Sequence, residues 1–239
     1  KEVLIAAGVR TPRGAIFTNF EAAKAYVENS DCPVVVKADG LAAGKGVIVP
    51  DNKQQTIEAI SDFLIKGKLG EAGKRIVLED RILGKEASVM AIVDGTTAIP
   101  LAVSQDYKRI FDGDQGGNTG GMGAISPTPV LADDEAQAIV KDMFVPVLAE
   151  LKRRGIHYRG FLYGGMMIDS QGHPSIIEFN VRLGDPETQV LLMRLESDLL
   201  ETLVAACESR LEGCELKWSH SAAACVVASA RGYPNSPET

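Results

Sequence analysis

The sequence predicts an α+β protein of two lobes with antiparallel sheets, and three observations lead to this fold class. Runs of Val and Ile bounded by Gly and Pro, which are typical of strands, occur at irregular intervals along the chain. Helical patterns lie between some of these runs but do not alternate with them as strict βαβ units would. The 239 residues are enough for one large domain or for two lobes with a core.

Composition and charge exclude several classes of protein. With 45% hydrophobic and 24% charged residues, the chain resembles an ordinary globular protein. A net charge of −7 argues against nucleic acid as the main partner. No stretch is long and apolar enough to predict a membrane span. Cys32, Cys207, Cys214 and Cys225 form no CxxC pair and lack a His at metal-ligand spacing, which predicts reduced thiols in a cytoplasm.

Helices and strands are predicted along the whole chain. The start resembles the second half of a helix ending near Gly8, and because Lys1 is not Met we expect a piece of a longer protein. The predicted helices are Phe20–Glu28, Asn52–Leu64, Asp133–Arg154 (kinked at Pro146 and closed by Gly155) and Pro186–Glu212, with Asp185 as the N-cap of the last. The predicted strands are Val34–Val36, Val47–Val49, Arg75–Glu79, Glu86–Val93, Pro100–Ser104, and a hairpin of Gly164–Ile168 with Ser175–Val181.

The segment from Pro33 to Pro50 predicts a phosphate-binding unit. Two β-branched runs flank a glycine-rich loop that carries Lys37 and Lys45. Successive backbone N–H groups in such a loop bind anions, and Gly permits close approach. A Walker A loop is excluded because the glycine spacing is wrong, Gly46 follows Lys45, and a strand follows instead of a helix. A tight turn with solvated lysines is the alternative on this segment alone.

The strand that contains Glu178 predicts a metal site. Because alternate side chains of a strand share a face, Ile177, Phe179 and Val181 are expected to be buried opposite Glu178 and Asn180. A carboxylate and an amide oxygen at this spacing can share Mg²⁺, which prefers oxygen ligands. Arg182 follows on the same face and suits a phosphate oxygen. The alternative is an ordinary solvent-facing strand.

Two further segments have the composition of binding sites. Ser104–Pro127 holds six glycines between Gly113 and Gly123, which predicts a long substrate-binding loop, with a flexible linker as the alternative. An EF-hand is excluded because its twelfth position is Gly123 instead of Glu. Arg75–Ser88 reads as a strand, a bend and a strand with an apolar slot and acidic residues, which suits an adenine and a ribose, although a surface hairpin would look similar.

These motifs resemble a known family. KADGLAAGKGVIV, the hinge from Glu79 to Glu86 and the E-x-N of Glu178 resemble the ATP-grasp superfamily. SQDYKR, NTGGMGAISP and EFNVRLGDPE resemble its glycinamide ribonucleotide synthetase (phosphoribosylamine–glycine ligase) family. The resemblance implies the ATP-grasp fold, with the nucleotide between two lobes. It also implies ligation of glycine to 5-phosphoribosylamine through glycyl phosphate, in purine biosynthesis.

The resemblance implies a role for each matching residue. The expected ATP-binding residues are Lys37, Gly44, Lys45, Gly46, Glu79, Ile82 and Glu86. The expected metal ligands, for Mg²⁺ or Mn²⁺, are Glu178 and Asn180. Many ATP-grasp enzymes have one more acidic ligand on the preceding strand, but here that position falls near Gly164–Gly165, so only two protein ligands are expected. The expected substrate-binding residues are Lys108, Asn118, Thr119, Gly120, Gly121, Met122, Gly123, Arg182, Asp185 and Glu187. Lys45 and Arg182 are expected to stabilise charge during catalysis.

The resemblance also implies an organisation and leaves alternatives. We expect residues 1–15 to end a linker helix, 16–86 to form the small lobe, 87–218 the large lobe, and 219–239 to begin a further domain. The partners are then the small molecules ATP, glycine and 5-phosphoribosylamine, bound by a cytoplasmic monomer that contacts neither nucleic acid nor membrane. The alternatives are a related ATP-grasp carboxylase or carboxylate–amine ligase, disfavoured by NTGGMG and RLGDPE, and an ATP-binding module without turnover.

Overall fold

The computed structural model describes residues 1–42, 46–234 and 236–238. The chain forms two compact units: a small unit, Pro12–Leu83, and a large unit made of Lys1–Thr11 and Gly84–Thr239. Both units combine helices with antiparallel sheets, so the predicted α+β class is confirmed. Within the described ranges, none of the helices has the length and apolar character needed to cross a bilayer.

The elements are defined as follows. The helices are α1 Glu2–Ala6, α2 Phe20–Glu28, α3 Lys53–Leu64, α4 Asp133–Ile139, α5 Val145–Arg153, α6 Glu187–Arg194 and α7 Leu199–Cys207. The strands are β1 Gly14–Phe17, β2 Val34–Ala38, β3 Val47–Ile48, β4 Ile76–Asp80, β5 Lys85–Val93, β6 Ala98–Pro100, β7 Gln105–Asp106, β8 Arg109–Phe111, β9 Gln115–Asn118, β10 Gly123–Ser126, β11 Gly160–Ile168, β12 Pro174–Asn180 and β13 Ala223–Val226. A 3₁₀ turn, Gly70–Gly73, precedes β4.

The small unit is an antiparallel sheet packed against two helices. Its strand order is β1-β4-β2-β3. Helix α2 has the predicted bounds, and α3 begins one residue later than predicted because Asn52 caps it, accepting a hydrogen bond from the backbone N–H of Gln55 at 2.9 Å. Ile60, Ile76 and Leu78 are fully buried in its core. Strands β2 and β3 pair directly, which confirms the two strands predicted around the glycine-rich segment.

The main sheet of the large unit has the order β12-β11-β5-β6 and carries a core on each face. Alternate residues of β5 divide between them. Val89 belongs to one core, with Ile139 of α4 and Leu148 of α5, whereas Met90 belongs to the other, with Tyr163 and residues of α6 and α7. The hairpin of β11 and β12 confirms the prediction, with Gly172 at φ +80° in its turn. β4 and β5 do not pair with each other.

The predicted long helix Asp133–Arg154 forms as a continuous helical segment. A π-helical stretch, Val140–Phe144, interrupts its α-helical geometry just before Pro146. Proline lacks a backbone N–H and its ring clashes with the preceding turn, so a local widening of the helix accommodates it. Gly155, at φ +77°, follows the end of the run, as predicted.

The predicted single helix over Pro186–Glu212 is wrong. The chain forms α6 and α7, separated where Leu195 is extended and bridges to Trp218. Asp198 caps α7 by accepting a hydrogen bond from the N–H of Leu200 at 2.8 Å. Asp185 is not an N-cap as predicted, because α6 begins after Pro186. Helical periodicity in the sequence continues through the break, so a tertiary strand bridge decides where α6 ends.

Two strand predictions also need correction. The predicted strand Pro100–Ser104 is displaced: β6 ends at Pro100, and Ser104 joins the sheet only through an isolated bridge to Ser88. The predicted loop over Ser104–Pro127 is wrong, because the segment forms four short strands. β7 and β10 belong to a second sheet of order β13-β10-β7, and β8 pairs with β9 in a two-stranded ribbon.

Candidate active site

On one face of the main sheet in the large unit, a patch of polar side chains lies beside the apolar core. Gly165 in β11 pairs with Ser88 of β5 on one side and with Glu178 of β12 on the other. Paired residues of an antiparallel sheet point to the same face, so Ser88 and Glu178 face the same side across a position that has no side chain. Tyr163 and Asn180 are paired next along the same strands. We call this set the polar face.

A bulge in β12 sets which side chains reach the polar face. Met166 pairs with Ile176 and Gly165 with Glu178, so β12 has one more residue than β11 at this point, and the register of the two strands shifts there. Phe179 turns to the face opposite Glu178, as predicted, where it is partly buried and its ring stacks edge-on against Phe144. Val181, predicted to be buried, is 71% exposed because β12 ends at Asn180.

The two expected metal ligands lie side by side on the polar face. Glu178 is exposed, and the Asn180 amide N–H donates to Glu178 Oε1 at 3.2 Å. A Cβ at Gly165 would approach Glu178 Cγ to 3.1 Å, so the glycine leaves room for the carboxylate. Among the described residues, no group of three or more His, Cys, Asp or Glu side chains is arranged around a metal position.

Lys108 lies between two carboxylates at the edge of this face. Its Nζ is 2.9 Å from Glu86 Oε2 and 3.7 Å from Asp106 Oδ2. Burial lowers the pKa of Lys108, but Asp106 and Glu86 raise it by more, so this pKa lies well above its ordinary value. Burial raises the pKa of Asp106 to about 6, against the lowering effect of Lys108, and Glu187 and Glu86 raise it further.

Glu187, the first residue of α6, lies buried against the polar face with 2% of its surface exposed. Its Oε1 accepts a hydrogen bond from the Ser88 hydroxyl at 3.2 Å, and that hydroxyl is also 3.0 Å from the Tyr163 hydroxyl. Burial, Glu187 and Asp106 raise the pKa of Tyr163, so its hydroxyl stays protonated. A Cβ at Gly184 would lie 2.4 Å from Glu187 Oε2, which explains the glycine there.

The two motifs NTGGMG and RLGDPE meet in the structure. Gly121 has φ +129°, and a Cβ there would lie 2.4 Å from Cδ of Pro186. Thr119 is fixed upstream, since its N–H and hydroxyl both donate to the Lys108 carbonyl, at 2.7 Å and 2.9 Å. The Gly120 N–H donates to the Tyr233 hydroxyl at 3.2 Å. The glycines therefore serve close backbone packing.

Arg182 and Asp185 lie outside the buried cluster. Arg182 is exposed, and its Nη1 donates to the Leu183 carbonyl at 3.0 Å. Asp185 accepts a hydrogen bond from the Gln189 side chain at 2.7 Å. Of the remaining expected residues in this stretch, Asn118 ends β9, while Met122 donates its backbone N–H to the Tyr107 carbonyl at 2.7 Å.

In the small unit, two expected ATP-binding residues form an ion pair. Lys37 Nζ is 2.8 Å from Glu79 Oε2, and Glu79 is 5% exposed. The Gly46 carbonyl accepts a hydrogen bond from Ala38 at 2.7 Å, and a Cβ at Gly46 would meet Ala42 at 2.7 Å. Ile82 is half-buried. Two expected ATP-binding residues, Gly44 and Lys45, lie outside the described residues.

Sequence reasoning missed several residues of the polar face and its edge. Ser88, Tyr163 and Asp106 were not among the expected site residues, although alternation could have found two of them. Ser104, Asp106 and Lys108 are spaced by two along the chain, as are Glu86 and Ser88, which puts each set on one face of a strand. No local signal marks Tyr163, because it joins the cluster through strand pairing with β5.

Comparison with known proteins identifies the family. Residues 1–188 match the family described as phosphoribosylglycinamide synthetase, ATP-grasp (A) domain. A phosphoribosylamine–glycine ligase of Allochromatium vinosum is 48% identical over 239 residues, covering 100% of this chain and 56% of the relative. The chloroplastic ligase of Arabidopsis thaliana is 47% identical over 231 residues, covering 96% of this chain and 43% of the relative. The chain thus spans about half the length of the curated relatives it matches.

Solved structures agree on the fold. The crystal structure of a phosphoribosylamine–glycine ligase from Thermotoga maritima superposes with a TM-score of 0.90 at 35% identity, covering 99% of this chain and 59% of that one. A biotin carboxylase from Campylobacter jejuni reaches a TM-score of 0.73 at 20% identity, covering 99% of this chain and 51% of that one, and shows a shared fold only. The chain has the ATP-grasp fold and belongs to the phosphoribosylglycinamide synthetase ATP-grasp (A) domain family.

Proposed function

We propose that the chain is the ATP-grasp part of an enzyme that joins glycine to 5-phosphoribosylamine in purine biosynthesis. ATP is converted to ADP and phosphate, and the product is glycinamide ribonucleotide. The observation that carries this proposal is the 48% identity over all 239 residues with a phosphoribosylamine–glycine ligase. The polar face supports it, because ionisable and hydroxyl side chains from β5, β11, β12 and α6 converge there.

The proposed ATP-binding residues of the small unit are Lys37, Gly44, Lys45 and Gly46 for the phosphates, and Glu79 with Ile82 for the adenine. The ion pair between Lys37 and Glu79 supports this, since the buried carboxylate holds the ammonium in place at 2.8 Å. In the large unit, Glu86 is the proposed ribose contact, because its carboxylate is partly exposed beside Lys108.

The polar face fits a divalent cation. Glu178 and Asn180 supply a carboxylate and an amide on one strand, and half a turn of the amide would present its oxygen instead of its N–H. We propose that these two residues hold Mg²⁺ or Mn²⁺, with water and phosphate oxygens completing the coordination. Such a cation, when bound, offsets the negative charge of the phosphates.

The proposed reaction has two steps. A carboxylate oxygen of glycine attacks the γ-phosphorus of ATP, ADP leaves, and glycyl phosphate forms. The amine of 5-phosphoribosylamine then attacks the glycyl carbonyl, inorganic phosphate leaves, and the new amide nitrogen loses one proton. Lys45 is proposed to stabilise the phosphates, and Arg182 the charge that develops during acyl transfer. The guanidinium of Arg182 supports this role, since it is exposed and forms no ion pair with any described residue.

The remaining proposed substrate contacts are Lys108, Asp185, Glu187 and the segment Asn118–Gly123. Their support is the packing of Gly121 against Pro186, which brings the two motifs together. We propose a cytoplasmic monomer whose partners are small molecules. Four free cysteines and a net charge of −7 support a reducing compartment and the absence of a nucleic-acid partner.

ADP release measured with each substrate omitted in turn tests this function. We expect release to require glycine and Mg²⁺ or Mn²⁺, and to increase when 5-phosphoribosylamine is added, with glycinamide ribonucleotide detected by mass spectrometry. ADP release that depends on a different carboxylate or on bicarbonate would assign the chain to another ATP-grasp reaction. ATP binding without turnover under every combination would leave a nucleotide-binding module only.

A further inference from the structure

The segment Asn118–Gly123 is held largely by residues just before it or within it. The Thr119 N–H donates to the Lys108 carbonyl at 2.7 Å, and the Met122 N–H donates to the carbonyl of the residue before Lys108, also at 2.7 Å. The Gly121 N–H donates to the Thr119 hydroxyl at 3.0 Å. Local structure therefore supplies the partners of these three N–H groups.

The N–H of Gly120 has a partner from a distant part of the chain. It donates to the hydroxyl of Tyr233 at 3.2 Å, 113 positions later in the sequence. Gly120 is exposed, and a Cβ there would lie 3.5 Å from the same hydroxyl. A tyrosine hydroxyl can accept such a bond and still donate its own proton. The conformation of the segment at Gly120 thus depends on one side-chain atom outside the segment.

The chain that follows β13 brings Tyr233 to this place. Strands β10 and β13 pair as far as Gly123 and Val226, and the Val227 N–H donates to the Met122 carbonyl at 2.9 Å, which continues the pairing by one residue. The Tyr233 N–H then donates to the carbonyl three residues earlier at 3.2 Å, which fixes a turn. β13 and Tyr233 belong to the large unit, as the segment does.

We propose that Tyr233 is a positioning residue for the ligation, because its hydroxyl holds the Gly120 backbone in the conformation in which the segment Asn118–Gly123 contacts the substrates other than ATP. Three glycines in this segment give its backbone unusual freedom, so fixed contacts are needed to hold one conformation. Each contact made before binding lowers the entropy lost when a substrate binds. This inference rests on the proposed function, which assigns substrate contacts to the segment.

Tyr233 differs from the other supports of the segment in kind. The Lys108 carbonyl belongs to the backbone, and the contact at Gly121 is with the ring of Pro186, where a Cβ would lie 2.4 Å from Cδ. The support at Gly120 is a single hydroxyl group, so a variant can remove it and keep the rest of the side chain. Since Gly120 is exposed, its N–H can bond to water when the hydroxyl is absent. The expected loss therefore falls on positioning and leaves the fold in place.

Steady-state kinetics of Tyr233→Phe tests the proposal. The KM values for ATP, glycine and 5-phosphoribosylamine are measured for the wild type and the variant. We expect the KM for glycine, for 5-phosphoribosylamine or for both to rise about 2- to 10-fold, as the loss of one neutral hydrogen bond implies. The KM for ATP and the urea midpoint should stay as in the wild type, because the proposed ATP contacts lie on other elements.

Tyr158→Phe is the matched control. Tyr158 lies in the same unit, and its hydroxyl donates to the Phe161 carbonyl, away from the segment. This variant also removes one bonded hydroxyl, and it should leave all three KM values unchanged. Unchanged KM values in Tyr233→Phe, or an equal rise in all three, would overturn the inference, since an equal rise indicates a general structural defect.

Exchange of backbone amides with water, measured by NMR, tests the contact without turnover. Tyr233→Phe should lose the protection of the Gly120 amide. Thr119 and Met122, whose N–H groups are bonded to backbone carbonyls, should keep theirs and serve as internal controls. Equal protection of Gly120 in the wild type and the variant would show that the hydroxyl does not hold this backbone, and would overturn the inference.

The outcomes separate this inference from the proposed function. Wild type that forms glycinamide ribonucleotide, together with a Tyr233→Phe variant that has the same KM values, overturns the inference alone. Wild type that forms no ADP with any combination of substrates overturns the proposed function. In that case the exchange of the Gly120 amide still decides whether Tyr233 fixes the segment.

Discussion

Gly165 separates Ser88 from Glu178 in the sheet, and a Cβ at Gly165 would stand 3.1 Å from Glu178 Cγ. The neighbouring Gly164 points to the other face, where a Cβ would stand 2.8 Å from the ring of Phe144 in the core. Two consecutive glycines therefore serve different ends: one makes space for a carboxylate of the polar face, and the other for an aromatic ring.

This difference predicts that Gly165→Ala and Gly164→Ala will have separable effects. Gly165→Ala should raise the metal concentration needed for half-maximal ADP release, because Glu178 must shift, with little change in the free energy of unfolding. Gly164→Ala should lower the free energy of unfolding by about 1 to 3 kcal/mol through overpacking. Urea unfolding and metal titration of both variants check this. Equal loss of stability in the two would contradict the assignment of faces.

Glu178→Gln tests the metal site itself. The side chain is exposed, so the fold should be retained, while metal-dependent turnover should fall by orders of magnitude because a charged oxygen ligand is lost. Asn180→Asp is the matched variant: it keeps an oxygen ligand at the second position and should retain metal-dependent turnover. Titrations of ADP release with Mg²⁺ and Mn²⁺ measure both. An unchanged metal dependence in Glu178→Gln would exclude that residue as a ligand.

The titration of Asp106 should make the stability of the fold depend on pH. Its pKa is raised to about 6 in the folded protein from an ordinary 3.8, first by burial, so the folded state binds the proton more tightly than the unfolded state. This residue therefore stabilises the fold at low pH, and its contribution is lost as pH rises from about 4 to about 6. The contribution of Asp106 to the free energy of unfolding changes by roughly 3 kcal/mol over this interval.

Asp106→Asn removes this titration. Urea unfolding of wild type and variant at pH 4.5 and pH 7 measures the change. The variant should gain stability relative to wild type as pH rises across that interval, although the absolute values also reflect its altered hydrogen bonds. A constant difference between the two proteins at both pH values would mean that Asp106 does not titrate with a raised pKa.

Replacing Arg194, which lies outside the proposed site, should strongly reduce the stability of the fold. It is 4% exposed and donates hydrogen bonds to Ser126 Oγ at 2.6 Å, Asp133 Oδ2 at 2.8 Å and the Ser219 carbonyl. Arg194→Met should lower the free energy of unfolding by about 3 to 5 kcal/mol, since buried acceptors lose their donor. Arg153→Met, whose side chain is 70% exposed, should cost less than about 1 kcal/mol in urea unfolding. Similar losses of unfolding free energy in the two variants would show that the buried hydrogen bonds of Arg194 do not stabilise the fold.

Local patterns in the sequence determined most of the individual elements. The bounds of α2, the cap at Asn52 and the hairpin around Gly172 follow from side-chain spacing, capping and turn chemistry, which act within a few residues. The same local chemistry placed Glu178 and Asn180 on one face of a strand, which the structure shows. Family motifs indicated the ATP-grasp fold, because each motif is a contiguous stretch of the chain and can be recognised without knowledge of the tertiary structure.

Only the tertiary structure decided features that depend on distant pairing. The end of α6 depends on a bridge from Leu195 to Trp218, and the burial of Glu187 depends on Ser88, 99 positions earlier in the chain. Ser104 points to the same side of the sheet as the polar face because of its bridge to Ser88. Strand register is set by packing and backbone hydrogen bonds between segments, and a slip of one residue would turn each side chain to the opposite face. The sequence alone therefore determined which chemical groups the chain carries, and long-range pairing decided which of them meet.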